Sequence, residues 1–244
     1  MDKNIICMKW GAKFSSLYVN ILYAMVCRNL RLPFRFICFT DDGAGIDSSV
    51  EVRPLPEMYL DSELPERGWR KLTVLGKNLG GDIKGQCLFL DLDVVIIDDL
   101  QPFFEQAGRF LIVREWGFRD KVIGNSSVFR FQVGEHQDVL DYFLQNGEQV
   151  RQRYRNEQAY LSHSINQKGI LDFWQPRWCC SFKRQCMRFF PACHFLPPSK
   201  PDGCKIVIFH GNPHPDVVLD GWVGHYGIRA ARPATWIKDA WKLS

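Results

Sequence analysis

Residues 88–99, LFLDLDVVIIDD, constrain this chain more than any other stretch. Leu88, Phe89 and Leu90 lead into Asp91, and Val94, Val95, Ile96 and Ile97 follow Asp93. A short, β-branched, apolar run of this kind reads as a buried strand. Residues two apart in a strand share a face, so the pattern sets the carboxylates of Asp91 and Asp93 side by side. Buried and unpaired, each would be costly, and the two would repel one another. A divalent cation offsets both effects, because hard cations take carboxylate oxygens. The apolar residues before Asp91 put the pair near the carboxyl end of the strand, where open α/β sheets bind ligands. The plain alternative is one exposed Asp and one salt-bridged Asp. The apolar flanks weigh against it.

The preceding chain reads as the start of a parallel sheet. Residues 4–8 suit a short buried strand. Phe14, Leu17, Tyr18, Ile21, Leu22, Met25 and Val26 recur at helical spacing, and Pro33 stops that helix. Residues 34–39 suit a second strand, with TDDGAG as its exit, and residues 51–55 a third. LDSELPERG is a polar loop. Residues 69–78 have helical apolar spacing closed by Gly80 and Gly81. After the acidic run, Asp98 and Asp99 are expected to cap a short helix holding Leu100, Phe103 and Phe104. Strands are expected at residues 110–113, 126–131 and 205–209. Helices are expected around Val139, Leu140, Phe143 and Leu144, and over residues 157–165. From Leu171 the chain is aromatic, basic, Pro-rich and irregular. With 244 residues, 46% of them hydrophobic, one large α/β domain is the simplest account.

Charge is unevenly spread. The net charge is +4, yet Arg177, Lys183, Arg184, Arg188, Lys200 and Lys205 stand against Asp202 alone within residues 177–205. Trp178, Phe182, Phe189, Phe190 and Phe195 lie in the same stretch. It reads either as a solvated basic face or as a surface for an anionic acceptor or anionic lipid headgroups. The modest total charge argues against nucleic acid as a partner. The nine cysteines are irregularly spaced and make no CxxC pair, which points to buried thiols in a reducing compartment. MDKNIICMKW lacks the apolar stretch of a signal peptide, and no run of about 18 apolar residues occurs. The expected location is the cytoplasm, with peripheral contact to an anionic inner membrane face through Arg177 to Lys205.

Two enzyme classes carry an Asp-x-Asp after an apolar strand. In haloacid-dehalogenase-like phosphohydrolases, Asp91 would be a nucleophile and Asp93 an acid/base. That motif usually opens the chain, whereas here two strands and two helices come first, and no acidic pair follows Asp99. The other class is the GT-A glycosyltransferases. CMKWGAKFSSLYVNILYAMVCRNLRLPFRFICFTDD, GWRKL, LFLDLDVVI, GNSSVFRF, NEQAYL and IVIFHGNPHP follow in order along nearly the whole chain. Together they resemble small bacterial glycosyltransferases of surface-polysaccharide (lipopolysaccharide or capsule) clusters. They are more distantly similar to glycogenin-like retaining transferases. The resemblance implies a GT-A, Rossmann-like single domain over 1–244, with a mostly parallel central sheet and an irregular C-terminal region. Residues to about 100 would bind the nucleotide sugar, and the remainder the acceptor.

The resemblance also implies roles. Asp91, Asp93 and His210 would hold Mn²⁺ or Mg²⁺, and Leu92 would lie near the ribose. Cys7, Met8 and Lys9 would line the nucleotide pocket, with Thr40 and Asp41 near the base. Lys71 would meet phosphate or sugar, although it reads equally well as a solvated helix lysine. Asn125 and Ser126 would contact the donor sugar. Glu157 and Gln158 would be the catalytic pair, where the family usually has Asp-Gln. Gly211 and His214 belong to HGNPHP. Related sequences often carry Lys in the place of His214, so His214 or Lys205 would face the phosphates. The donor would be a nucleotide diphosphate sugar, a UDP-sugar first among them, and the acceptor a glycan or lipid-linked sugar. An inverting enzyme would need Glu157 as base, and the glycogenin-like similarity tilts slightly towards retention. A sugar nucleotidyltransferase would need a Gly-rich N-terminal phosphate loop, for which KWGAKFSS is a poor match. A non-catalytic carbohydrate-binding protein is the remaining rival.

Overall fold

The computed structural model describes residues 3–60, 66–117 and 122–243. The expected opening is present as β1 (Lys3–Lys9), α1 (Ser16–Asn29), β2 (Arg35–Thr40) and β3 (Glu51–Pro54). A 3₁₀ turn over Trp69–Leu75 precedes β4 (Gln86–Leu90) and β5 (Val94–Ile96). Then come α2 (Gln101–Glu105), β6 (Phe110–Arg114), β7 (Gly124–Gln132), α3 (Gln137–Arg153) and α4 (Glu157–Gln167). Short elements complete the chain: β8 (Leu171–Phe173), β9 (Cys179–Ser181), β10 (Ile206–Ile208), α5 (Pro215–Val218), β11 (Trp222–Val223), β12 (Ala230–Ala231) and α6 (Thr235–Ala240).

Seven strands form the central sheet in the order β3-β2-β1-β4-β7-β6-β8. The pairings leave β7 as the one strand running against the rest, so the sheet is mostly parallel as expected. Both faces are covered, and the period of two sorts the strand residues between them. Ile5, Cys38, Leu88 and Leu90 join α1 and α2 in one core. Ile6, Met8, Phe39 and Phe89 join the 3₁₀ turn, α3 and α4 in the other.

The acidic run is not one strand. β4 ends at Leu90, and β5 starts at Val94 in a separate three-stranded sheet of order β5-β10-β9. The Asp91 N–H still donates to the Ser127 carbonyl at 2.9 Å, extending the β4–β7 ladder by one residue before the chain turns away. Continued as a strand, the run would drive both carboxylates into the apolar core beneath Phe89. The departure leaves them at its rim. The segment expected as a helix to Asn78 is also different: it is a 3₁₀ turn ending at Leu75, with Gly76 after it. Three residues per turn set Trp69, Leu72 and Leu75 on one buried face, which a spacing of three satisfies better than an α-helix. Leu17 and Leu144, expected on apolar helix faces, are about half exposed. Asp99 accepts the Gln101 N–H at the start of α2, while Asp98 faces Lys205 at 3.4 Å. Residues 61–65 of the LDSELPERG loop lie outside the described residues.

His136, just before α3, has no exposed surface and meets the Phe110 ring edge-on. Neither ring nitrogen has a hydrogen-bond partner. Burial, with Lys168 nearby, pulls its pKa down from 6.5 to about 4. Above pH 6.5 both folded and unfolded states keep the ring neutral. As pH falls from 6.5 towards 4, only the unfolded state takes up the proton, so stability is lost over that window. Urea unfolding measured from pH 8 to pH 4 should therefore show His136→Phe escaping up to about 3 kcal/mol of acid destabilisation. Parallel pH slopes for the two proteins would refute the assignment.

Candidate active site

A cavity of about 410 Å³ opens at the carboxyl ends of β1 and β4. Met8, Trp10, Lys13 and Phe14 come from the end of β1 and the loop after it. Glu66, Arg67, Gly68 and Lys71 come from the approach to the 3₁₀ turn and the turn itself. Asp91, Leu92 and Asp93 come from the crossing between sheets, and Glu157 from the first turn of α4.

Lys71 is the hub. Its ammonium lies 2.7 Å from the Asp91 carboxylate and 3.8 Å from Glu157. Its side chain is only 12% exposed, so it is no solvated surface lysine. Burial alone would lower its pKa, but Asp91 and Glu157 outweigh burial and hold it above the ordinary value. Glu157 is buried too, and its carboxyl is raised by burial against the opposing pull of Lys71 and Ser126. The Ser126 hydroxyl donates to Glu157 at 2.6 Å, and the Ser126 N–H reaches the Gln158 side chain at 3.4 Å. Gly68 allows this close packing. It has φ +80, and a Cβ there would sit 3.1 Å from the Glu157 carboxyl.

Asp93 is buried on the other side of the cavity, and burial followed by repulsion from Asp91 raises its pKa to about 7. Lys71 and Lys13 pull the other way. His214 Nδ1 is 3.7 Å from the Asp93 carboxylate and is itself buried without a hydrogen-bond partner. The Asp93 carbonyl accepts the Phe209 N–H at 3.1 Å, which ties the HGNPHP segment to the acidic crossing. Lys183 approaches from the same side. Its Nζ lies 3.3 Å from where a Cβ on Gly211 would be, and burial, together with Arg229, lowers its pKa against the pull of Asp93.

These residues fit a divalent cation of the Mg²⁺ or Mn²⁺ type. Asp93 is a buried carboxylate that feels the charge of Asp91, and the basic atom beside it, His214 Nδ1, has no hydrogen-bond partner. Among the described residues, no group of three or more His, Cys, Asp or Glu side chains forms a cage. Magnesium-type sites commonly take one or two carboxylates and leave the remaining positions to phosphate oxygens and water. His210 follows Phe209 and so lies beside the crossing, but its ring stacks on Trp116 and its Nε2 shares a 2.7 Å hydrogen bond with Ser181.

Of the residues expected from sequence, the cavity gathers Met8, Lys71, Asp91, Leu92, Asp93 and Glu157, with Ser126, Gln158 and His214 directly behind. The others are placed differently. Cys7 is fully buried in a core, with burial raising its thiol pKa well above the ordinary value. Lys9 donates to the Asp42 carbonyl, as does the Thr40 hydroxyl, and the Asp41 carboxylate accepts the Gly11 N–H. These contacts stiffen the exits of β1 and β2 beside the cavity. The Asn125 side chain accepts the Ser127 N–H. Lys205 is paired with Asp98 and lies over Trp178, away from the acids. Sequence reasoning missed Trp10, Lys13, Arg67 and Lys183. Lys13 was findable, since it follows the first strand of a parallel sheet. Lys183 was hidden in a basic stretch read as surface.

Neither a protein-family model nor a curated protein matches the chain. Solved structures do. The glycosyltransferase GlyE of Streptococcus pneumoniae TIGR4 matches with a TM-score of 0.59 at 14% identity, over 88% of this chain and 56% of that one. The galactosyltransferase LgtC, solved with donor and acceptor sugar analogs, matches with a TM-score of 0.55 at 14% identity, over 87% of this chain and 88% of that one. An active-site mutant of LgtC matches with a TM-score of 0.55 at 13% identity. With its mostly parallel seven-stranded sheet and its cavity at the strand ends, the chain has the fold of GT-A-type glycosyltransferases.

Proposed function

We propose that the chain is a metal-dependent glycosyltransferase. It would move a sugar from a nucleotide diphosphate sugar, a UDP-sugar first among the candidates, to a glycan or lipid-linked acceptor in bacterial surface-polysaccharide synthesis. The observation that carries this reading is the charge arrangement. Two carboxylates suited to a cation lie in one cavity with the ammonium groups of Lys13 and Lys71, and Lys183 stands beside them. A diphosphate bridged to a cation has the complementary pattern. The likeness to LgtC, solved with donor and acceptor sugar analogs, supports sugar partners in general. The comparisons give no support to the phosphohydrolase reading.

Asp91 and Asp93 would hold the cation, which would supply charge stabilisation to the departing diphosphate. The protein groups supply position. Lys71, fixed by Asp91 and Glu157, presents a positive charge on a largely buried side chain, where it acts on developing negative charge without reorganising. Lys183 takes the part that a lysine in place of His214 would play. Glu157 is already engaged by Ser126 and Lys71, which suits a positioning role better than that of a general base. That engagement favours retention over inversion.

A thermal-shift panel of nucleotide diphosphates and their sugars, with and without Mn²⁺, tests the reading. Ligand at 100 times its Kd adds about 2.7 kcal/mol, a rise in Tm of roughly 5 to 10 °C for a chain of this size. The rise should require the metal, and its absence across the whole panel would overturn the proposal. Asp93→Asn should separate stability from function. It removes a buried charge that Asp91 repels, so the metal-free protein should melt higher, while the metal-dependent response disappears. A lower Tm for this variant would contradict the electrostatic account. Lys71→Met should be the opposite case, losing about 3 kcal/mol in urea because buried Glu157 and half-buried Asp91 are left without their counter-ion. Combining it with Asp91→Asn should restore part of that loss.

A further inference from the structure

The basic aromatic stretch divides into two parts with different fates. Trp178 and Phe182 pack into the core, and Lys205 is paired with Asp98. The middle of the stretch points outward: Phe189 is 88% exposed, Phe195 77%, and Phe190 and Leu196 are also exposed. A second segment, distant along the chain, joins it. Tyr226, 84% exposed, and Ile228 lie on the connection between β11 and β12. His194 Nε2 bonds the Gly227 carbonyl at 2.6 Å, and Cys193 Sγ reaches the Ile228 carbonyl at 3.6 Å. Six of the fifteen exposed large apolar side chains among the described residues fall in these two neighbouring segments. Such clustering on a water-facing surface marks an interaction site.

The charge on this face identifies the partner. Residues 187–200 and 221–232 contain no Asp or Glu, while Arg188, Lys200, Arg229 and Arg232 are all exposed there. We propose that the face formed by Phe189, Phe190, Phe195, Leu196, Tyr226 and Ile228, rimmed by these four arginine and lysine side chains, docks onto a membrane containing anionic lipid. Aromatic and aliphatic side chains enter the interface between headgroups and acyl chains, and the basic rim meets the headgroup charge. A second copy of the chain fits less well, because a two-fold pairing would set this acid-free basic face against itself. The face adjoins the candidate active site along the chain, since Arg188 and Phe189 follow closely on Lys183, whose Nζ stands beside Gly211. Docking would thus bring the cavity close to the lipid surface. The docking itself does not depend on the transferase reading.

Co-sedimentation with vesicles decides the matter. The full chain should bind vesicles of phosphatidylcholine and phosphatidylglycerol in equal parts, and bind phosphatidylcholine vesicles about tenfold more weakly, with high salt removing the difference. The pair Phe189→Ala with Phe195→Ala and the pair Tyr226→Ala with Ile228→Ala should each weaken binding about tenfold. Their Tm values should stay unchanged, because the side chains removed are exposed. Both should keep the metal-dependent stabilisation by nucleotides, so vesicle binding is read independently of the active site. No binding to the mixed vesicles, or equal binding by wild type and both variant pairs, would overturn the proposal. So would concentration-dependent self-association that these substitutions abolish without any vesicle binding, which would assign the face to a protein contact.

Discussion

The structure turns on the crossing at Asp91, Leu92 and Asp93, where the chain leaves one sheet for another. The departure is an electrostatic necessity: two carboxylates of one strand face cannot be carried further under the apolar roof that covers Phe89. Asp91 keeps the face its period gives it and finds Lys71 and Glu157 there. Asp93, one step beyond the ladder, is held by its carbonyl bond from Phe209. Because β5 then pairs antiparallel with β10, the HGNPHP segment at the far end of β10 returns to the same point. A single local conflict between burial and charge thereby gathers chain segments more than a hundred residues apart around one cavity.

Much of the fold was legible from the sequence because it follows from periodicity. The alternation in β1, β2 and β4 and the helical repeat of α1 each match a face that the structure buries. The errors came where a pattern had two physical meanings. Val94 to Ile96 continue the strand pattern without a break, so nothing local reveals that they belong to a different sheet. Leu72 and Leu75, three apart, pass for helical spacing, although with Trp69 they suit the tighter 3₁₀ turn better. The two- and three-residue strands β8, β9, β11 and β12 are too short to have a period at all.

The candidate site was legible in a different way. Asp91 and Asp93 could be found from cost alone, since two acids in an apolar run demand compensation. Lys71 could not be decided, because a lysine's sequence neighbours do not say which way its long side chain reaches. His210 and Asp41 were expected from the resemblance, and in the structure His210 contacts Ser181 and Trp116 while Asp41 accepts the Gly11 N–H. Such contacts join side chains from distant segments, which a motif read along the chain does not contain.

The C-terminal third, irregular in sequence, joins the two ends of this chemistry. Within a few residues it turns Lys183 inward beside Gly211 and Phe189 outward into solvent. A π-helical turn over Phe182–Cys186 makes this possible, with Phe182 anchored by stacking on Phe209 at 4.1 Å while the residues after it reverse direction. The same Phe209 carries the backbone bond to Asp93. One aromatic pair therefore fixes the acidic crossing, the inward lysine and the base of the exposed aromatic face together. A residue as bland in sequence as Phe209 sets the register between the candidate donor site and the surface beside it, and no pattern in the strand it follows could have assigned it that task.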